Sequence, residues 1–456
     1  MSGRAVAAQR AAARAVADAF LAGPWDCAAM AARAAQVLGG PARRLRPLAR
    51  QVTLGYPVPP ADRPRELAAF IRLSAPFAGL VEAGARAGRP LHPRVILPAP
   101  VHVVRPTAPA PPLDDAAALA SRLGLDVAVL DWFADLHRMQ RRAPAGPLHH
   151  YRYRWVQRRG AVPRLLEAPL PRLRQLQRTL LHEVVGLIPV HPAAHGFVAG
   201  RSAVTHAREH AGQEVVGCLD LVTFFAGIRA GRVYGVLHAV GYPEPVAHLL
   251  TGLCSTATPG SVIAAMPPGG DPGQRFLLRQ RLASGHLPQG APTSPHLANL
   301  VAARLDRRLA GYAAAAGLAY GRYADDLTFS GDGTAHDLHR ALAGAARIVT
   351  AEGFAVNPAK TRVRTRAQRQ RVTGIVVNEH PAVSRADYDR LRAVLHDAAR
   401  SGPREANRAG HPDFRAHLLG RVAWVASMDA ARGRRLRQLL EAIDWTSVDG
   451  TSVDDA

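Results

Sequence analysis

The chain of 456 residues predicts an α/β (α+β) fold in which two helical regions flank a central stretch of short strands mixed with helices. Three observations carry this. Met1–Leu21 is rich in alanine and helical by propensity. Between residues 151 and 330, runs such as Tyr151–Gln157, Val215–Leu221 and Tyr323–Ser330 hold aromatic and β-branched residues at strand spacing. From Ser384 to Trp445, Leu391, Val394, Leu395, Leu418, Leu419, Val422, Val425, Leu436, Leu439 and Leu440 fall on the apolar faces of helices with arginines outside.

Composition narrows the function classes. With 48% hydrophobic and 20% charged residues the chain can bury a core of two or three subdomains. Its net charge of +23 calls for a polyanionic partner, nucleic acid or an acidic membrane surface. No apolar run is long enough to span a bilayer, so the expectation is a cytoplasmic protein with no membrane partner. Cys27, Cys218 and Cys254 are too scattered for a disulfide framework or a zinc site. Among 58 basic residues, Lys360 alone is lysine. A guanidinium stays protonated in proteins whereas an ammonium can give up its proton, so the one lysine marks a position that needs proton transfer or is a chance survivor of the composition.

In chain order, residues 1–92 read as a helical extension of unknown role, with Pro76 expected to kink or split the helix spanning Pro64–Gly88. Residues 93–112 hold seven prolines and read as an extended linker with one short strand. Asp114-Asp115 should cap a helix to Leu123, Gly124 should break it, and Asp126–Met139 should resume it. Tyr151–Gln157 alternates aromatic and basic residues, Arg158-Arg159-Gly160 makes a basic turn, and Arg164–Glu167 begins a return strand. Such a hairpin suits phosphate or a single strand: arginine forks grip phosphates and rings stack on bases. Helices are expected through Val233–Val240 and Val246–Cys254, then a surface loop over Pro259–Gly273.

The chemistry concentrates in two stretches. Asp325 and Asp326 should sit at the tip of a hairpin within Ala319–Gly331. Adjacent carboxylates repel, and a fold keeps them together either in a solvated surface turn or around a divalent cation. Asp220 ends the apolar run Val215–Leu221, where an unpaired buried carboxylate would be costly and so requires a cation or a hydrogen-bonding partner. Together the three acids can hold two Mg²⁺ ions roughly 3.5–4 Å apart, with Mn²⁺ able to substitute, the arrangement used in phosphoryl transfer.

Tyr323-Ala324-Asp325-Asp326 downstream of Asp220-x-x-x-Phe224-Phe225 resembles the catalytic motifs of reverse transcriptases. The order of further blocks resembles the retron-type bacterial branch: His195-Gly196-Phe197-Val198-Ala199-Gly200-Arg201-Ser202, then Gln289-Gly290-Ala291-Pro292-Thr293-Ser294-Pro295, then Val372-Thr373-Gly374. The resemblance spans residues 115–445. It implies a right-hand polymerase fold, with fingers and palm over 113–378 and a helical thumb over 379–445; residues 446–456, acidic and terminal, read as a flexible tail. It further implies an RNA-directed DNA polymerase that copies a cognate structured non-coding RNA, primes from an RNA 2′-hydroxyl, and works with an effector protein in phage defence. Its partners would be that RNA, the RNA–DNA product, dNTPs and the effector. Roles follow by resemblance. Asp220, Asp325 and Asp326 hold the metals, and Lys360 protonates departing pyrophosphate. Arg158 and Arg164 bind dNTP phosphates, Phe225 excludes a 2′-hydroxyl, and Gln289 and Gly290 face the nascent base pair. Gly196, Arg201, Ser294 and Asn299 contact template, and Ser294-Pro295 should start a helix with a hydroxyl cap. Two departures stand out: Thr223 replaces a residue that is often acidic, and no Asn-Ala-x-x-His element is present. A group II intron relative and a non-catalytic RNA-binding scaffold are the alternatives.

Overall fold

A computed structural model describes residues 3–61, 63–95, 97, 109–144, 146, 149–157 and 160–446. The basic turn at Arg158, most of the proline-rich linker and nearly all of the 446–456 tail lie outside the described residues. The chain divides into two compact units: Met1–Ile188 with Arg229–Gly269 and Ala283–Pro292, and Pro189–Ile228 with Gly270–Leu282 and Thr293–Ala456.

The first unit opens with helices Gly3–Leu21, Cys27–Leu38, Arg46–Gly55, Pro64–Leu73 and Ala75–Arg86. They close on a shared core that includes Val16, Phe20, Met30, Leu48, Leu67, Ile71 and Phe77. The helix expected over Pro64–Gly88 is split as anticipated. The two halves bend by 65° at Ser74, whose extended backbone and hydroxyl cap the second helix just ahead of Pro76. No single described helix is long and apolar enough to cross a membrane. The buried Glu244 carboxylate accepts the Arg65 amide at 2.6 Å, tying the start of Pro64–Leu73 to helix Glu244–Cys254.

Asp115 caps helix Ala116–Arg122 as expected, through its bond from the Ala118 amide at 2.8 Å. The next helix is shorter than its apolar pattern suggests. It stops at Ala134 because Asp135 takes a left-handed conformation, φ 42°, and its carboxylate accepts the amides of Met139 and Gln140. Strands β1 (Tyr151–Val156) and β2 (Arg164–Pro169) form the expected antiparallel hairpin, Tyr151 opposite Pro169 and Val156 opposite Arg164. The stretch expected as a loop over Pro259–Gly273 contains a short helix, Gly260–Ala264, and reaches the start of another, Pro272–Ala283. The Trp155 indole anchors it by donating to the Val262 carbonyl at 3.0 Å.

The second unit is built on a four-stranded antiparallel sheet in the order β4-β5-β3-β6, where β3 is Val215–Asp220, β4 Ala319–Tyr323, β5 Asp326–Gly331 and β6 Arg362–Thr365. Helix Ala335–Ala351 covers one face. Gly217 lets it approach, since a Cβ there would stand 2.9 Å from Leu342 and 3.0 Å from Leu338. The short hairpin β7 (Arg371–Val372) and β8 (Ile375–Val376) follows. Helices Arg385–Ser401, Phe414–Met428 and Ala430–Glu441 then close on Leu391, Leu395, Leu418, Val422, Val425, Leu436 and Leu440. Leu419, expected on the same apolar face, is half exposed on the outside of its helix.

Candidate active site

The sheet register brings the acids together. Asp220, the last residue of β3, lies opposite Asp326, the first of β5, and Asp326 in turn faces Tyr323 across a two-residue turn of Ala324 and Asp325. The Leu221 amide donates to the Asp325 carbonyl at 2.9 Å, so the chain leaving β3 is clipped to the tip of the hairpin. On the other side the Asn357 amide donates to the Asp220 carbonyl at 2.8 Å, and the turn Pro358–Lys360 carries the Lys360 Nζ to 2.8 Å from Asp220 Oδ2. The four side chains line one cleft of about 840 Å³, with Arg362, Arg364, Arg369 and Arg371 along its wall.

At its acidic end the carboxylates crowd one another. Burial, then the neighbouring Asp325 and Asp220, push Asp326 up to about 6, and Lys360 works against them. Hard carboxylate oxygens suit Mg²⁺ or Mn²⁺, so this donor set fits a divalent ion. Among the described residues no three His, Cys, Asp or Glu side chains form a finished cation cage. The backbone is also unusual here. Phe197 (φ 63°), Thr223 (φ 47°) and Ala324 (φ 56°) are left-handed without being glycine, a conformation that gathers where a site dictates it.

A family model described as reverse transcriptase (RNA-dependent DNA polymerase) matches residues 160–377. Over 318 residues the chain is 44% identical to the retron Mx65 reverse transcriptase of Myxococcus xanthus, covering 70% of this chain and 69% of that one. It is 39% identical over 350 residues to the retron Mx162 reverse transcriptase of the same organism, covering 74% and 68%. The chain belongs to the retron-type reverse transcriptases. With the retron Ec86 reverse transcriptase of Escherichia coli, identity is 29% over 289 residues, covering 63% of this chain and 79% of that one. The activity that goes with this family is RNA-directed DNA polymerisation.

In this reverse transcriptase two of the four residues expected at the template, Gly196 and Asn299, lie behind the turn. Segment Ala193–His195 pairs with the edge of β4 at Arg322, through Arg322 N–H to the Ala193 carbonyl and His195 N–H to the Arg322 carbonyl, each 2.8 Å. This lays Gly196 against the turn, where a Cβ would stand 2.6 Å from the Ala324 nitrogen. Asn299, fully buried, donates to the Gly196 carbonyl at 2.9 Å. The Arg201 guanidinium donates to the carbonyls of Pro192 and Ala194, closing its own loop. Ser294 is the buried first residue of helix Ser294–Ala315, with Pro295 in its first turn. The anticipated hydroxyl cap is not made: the capping position falls on Thr293, which makes no side-chain capping bond. Of the two neighbouring phenylalanines, Phe224 is buried and stacks on Phe354, whereas Phe225 is half-buried beside Phe197. Arg164 is exposed at the start of β2, and Gln289 and Gly290 lie in the first unit with it.

Three residues not singled out in the sequence, Arg322, Asp306 and Tyr320, hold the turn from behind. Arg322, completely buried, donates to both Asp306 oxygens at 2.7 Å, to Asn299 Oδ1 at 2.9 Å and to the Ala324 carbonyl at 3.1 Å. Tyr320 donates to the same Asp306 at 2.8 Å. A signal existed, for Asn299 and Asp306 stand seven apart, two helical turns on one face, and Arg322 and Tyr320 alternate on one face of a strand.

Gly196→Ala is therefore expected to push the Ala324 backbone outward and reduce turnover by about a hundredfold, since an ångström of misplacement has that effect. Single-turnover primer extension at saturating dNTP is the check, with unchanged template affinity as the companion result.

Proposed function

We propose that this reverse transcriptase copies a cognate structured non-coding RNA into single-stranded DNA, msDNA, by two-metal phosphoryl transfer at Asp220, Asp325 and Asp326, priming from an RNA 2′-hydroxyl. The observation that carries the reading is the register of β3 against β5, which sets Asp220 opposite Asp326 with Asp325 at the adjoining turn. When bound there, Mg²⁺ would polarise the phosphoryl group and lower the pKa of the attacking hydroxyl. The protein's part is to hold the three carboxylates rigid, through the Leu221 clip and the buried Arg322–Asp306 pair. The arginine wall of β6 and Arg371 would neutralise strand phosphates beside the acids. In this reading the sheet unit supplies the palm and the C-terminal helices a thumb, while β1 and β2 belong to the fingers, and Arg164 and Arg158 are assigned to dNTP phosphates. Phe225, beside Phe197, would exclude a 2′-hydroxyl. By the family resemblance, the RNA–DNA product would work with an effector protein in phage defence.

Lys360 is assigned the protonation of departing pyrophosphate, its ammonium being already within the cleft on Asp220. Lys360→Arg keeps the charge but cannot release a proton, so turnover should fall by about a hundredfold or more while the dNTP KM changes little. Steady-state incorporation kinetics separate the two parameters. The whole reading is tested by co-expressing the protein with the DNA flanking its gene, beside an Asp325→Asn, Asp326→Asn control. DNA joined to a co-purifying RNA, absent from the control, is the expected result. RNA that co-purifies but is never extended, nor any added primed template, would overturn it in favour of an RNA-binding scaffold.

A further inference from the structure

The first unit contains a sealed ion pair apart from the three carboxylates. Glu167 on β2 is 1% exposed and His286 is 0% exposed. His286 Nε2 lies 2.8 Å from Glu167 Oε2, and its Nδ1 lies 2.8 Å from the Ser284 carbonyl. The Thr258 hydroxyl, also fully buried, donates to the other Glu167 oxygen at 2.7 Å. A carbonyl and a carboxylate both only accept, so satisfying them requires a hydrogen on each ring nitrogen, an imidazolium paired with a carboxylate. A pair this dry is costly unless its hydrogen bonds are complete, and here they are.

What the pair joins is informative. His286 opens the loop Leu287–Pro292, and its backbone exchanges hydrogen bonds with Thr256 at 2.9 and 3.0 Å. Three residues on, the Gln289 carbonyl accepts the Glu167 amide at 2.9 Å. Gly290, at φ 131°, packs so closely on β2 that a Cβ would stand 3.1 Å from the Glu167 carbonyl oxygen. One residue of β2 thus grips the loop twice, by side chain and by backbone, three positions from Arg164.

We propose that Glu167 and His286 are positioning residues that set this enzyme's affinity for the incoming deoxynucleotide by locking the Gln289-Gly290 loop against β2. The inference rests on the reading above, in which that loop and Arg164 face the nucleotide. The groups facing the pair are few. Arg138 approaches from the turn after helix Val127–Ala134, its guanidinium against Gly285, and the buried phenols of Tyr151 and Tyr153 face Glu167. Burial pushes His286 down, but the Glu167 charge and the hydrogen bonds to Glu167 and Ser284 more than offset burial and Arg138, and the imidazole is held above its ordinary value. The pair is therefore complete at low pH and is lost as pH rises through that raised value, leaving a buried carboxylate without its counter-charge. A loop that is docked only part of the time weakens apparent binding in proportion to that fraction.

The test uses the full chain with dTTP on a poly(rA)·oligo(dT) template. For the wild type, the dTTP KM should climb as pH rises above the ordinary imidazole range, with little change in kcat. Glu167→Gln should raise the KM about tenfold at neutral pH and make it insensitive to pH, since one charge-assisted hydrogen bond is worth that factor. Glu167→Gln with His286→Gln, an uncharged amide pair, should recover part of the lost affinity while remaining insensitive to pH. A KM unchanged by Glu167→Gln, a wild-type KM flat in pH, or a loss confined to kcat would overturn the proposal. Amide hydrogen exchange at Glu167 reads the tether without catalysis: exchange should be slow in the wild type and quicken in Glu167→Gln. If the wild type extends no template, the polymerase reading fails, and unchanged Glu167 exchange in the variant would separately refute the tether.

Discussion

Asp325→Asn and Asp326→Asn are each expected to lower DNA synthesis by at least about a thousandfold, because in the proposed reading each removes a charge that the transition state needs. Stability should move the other way for Asp326→Asn. Asp326 is pushed up to about 6 by burial and by its two acidic neighbours. An acid whose folded pKa lies above its unfolded value, about 3.9, favours folding while protonated, and that contribution is lost as pH rises through the folded pKa. At neutral pH in chelator the ionised Asp326 therefore works against the fold by about 3 kcal/mol. Asp326→Asn should melt at a higher temperature than the wild type under those conditions. Adding Mg²⁺ should raise the wild type and leave the variant nearly unmoved. A thermal melt with and without Mg²⁺ decides it: a variant that melts lower in chelator would show that the carboxylate is needed by the fold rather than by the reaction.

The second large effect lies behind the turn. Arg322 and Asp306 are both fully buried and joined by two bonds of 2.7 Å. Removing one partner strands the other charge in the interior, so Arg322→Met or Asp306→Leu alone should destabilise the protein by about 3–5 kcal/mol. The double substitution should recover most of the stability, because an apolar pair leaves no orphaned charge. It should not recover activity, since Arg322 also holds the Ala324 carbonyl and, through Asn299, the loop at Gly196. Denaturant melts of the two single variants and the double one, paired with incorporation rates, separate the two roles.

These outcomes also mark where sequence was legible and where it was not. The hairpin at Asp325 and Asp326 was readable because strand spacing, two adjacent acids and the following glycines all act within a few residues. The split at Ser74 was readable because a proline within a helical pattern kinks or breaks it. The end of helix Val127–Ala134 was not, because Asp135 stops it by capturing amides four and five residues ahead, a choice that apolar periodicity does not encode. The supporting parts of the site were least visible. Gly196 and Asn299 stood out as motif residues, yet their contacts with the turn depend on chain segments more than a hundred residues apart. Arg322 and Asp306 look like ordinary members of an arginine-rich chain until both are found in the interior.

The lone lysine has a practical side. Lys360 is the only side-chain amine in the protein, and it is half exposed in the cleft, paired to Asp220. An amine-selective acylating reagent therefore has one target besides the N-terminus. A single added mass on the peptide carrying Lys360 would report how open the cleft is at that amine, and in the proposed reading bound nucleotide should suppress it.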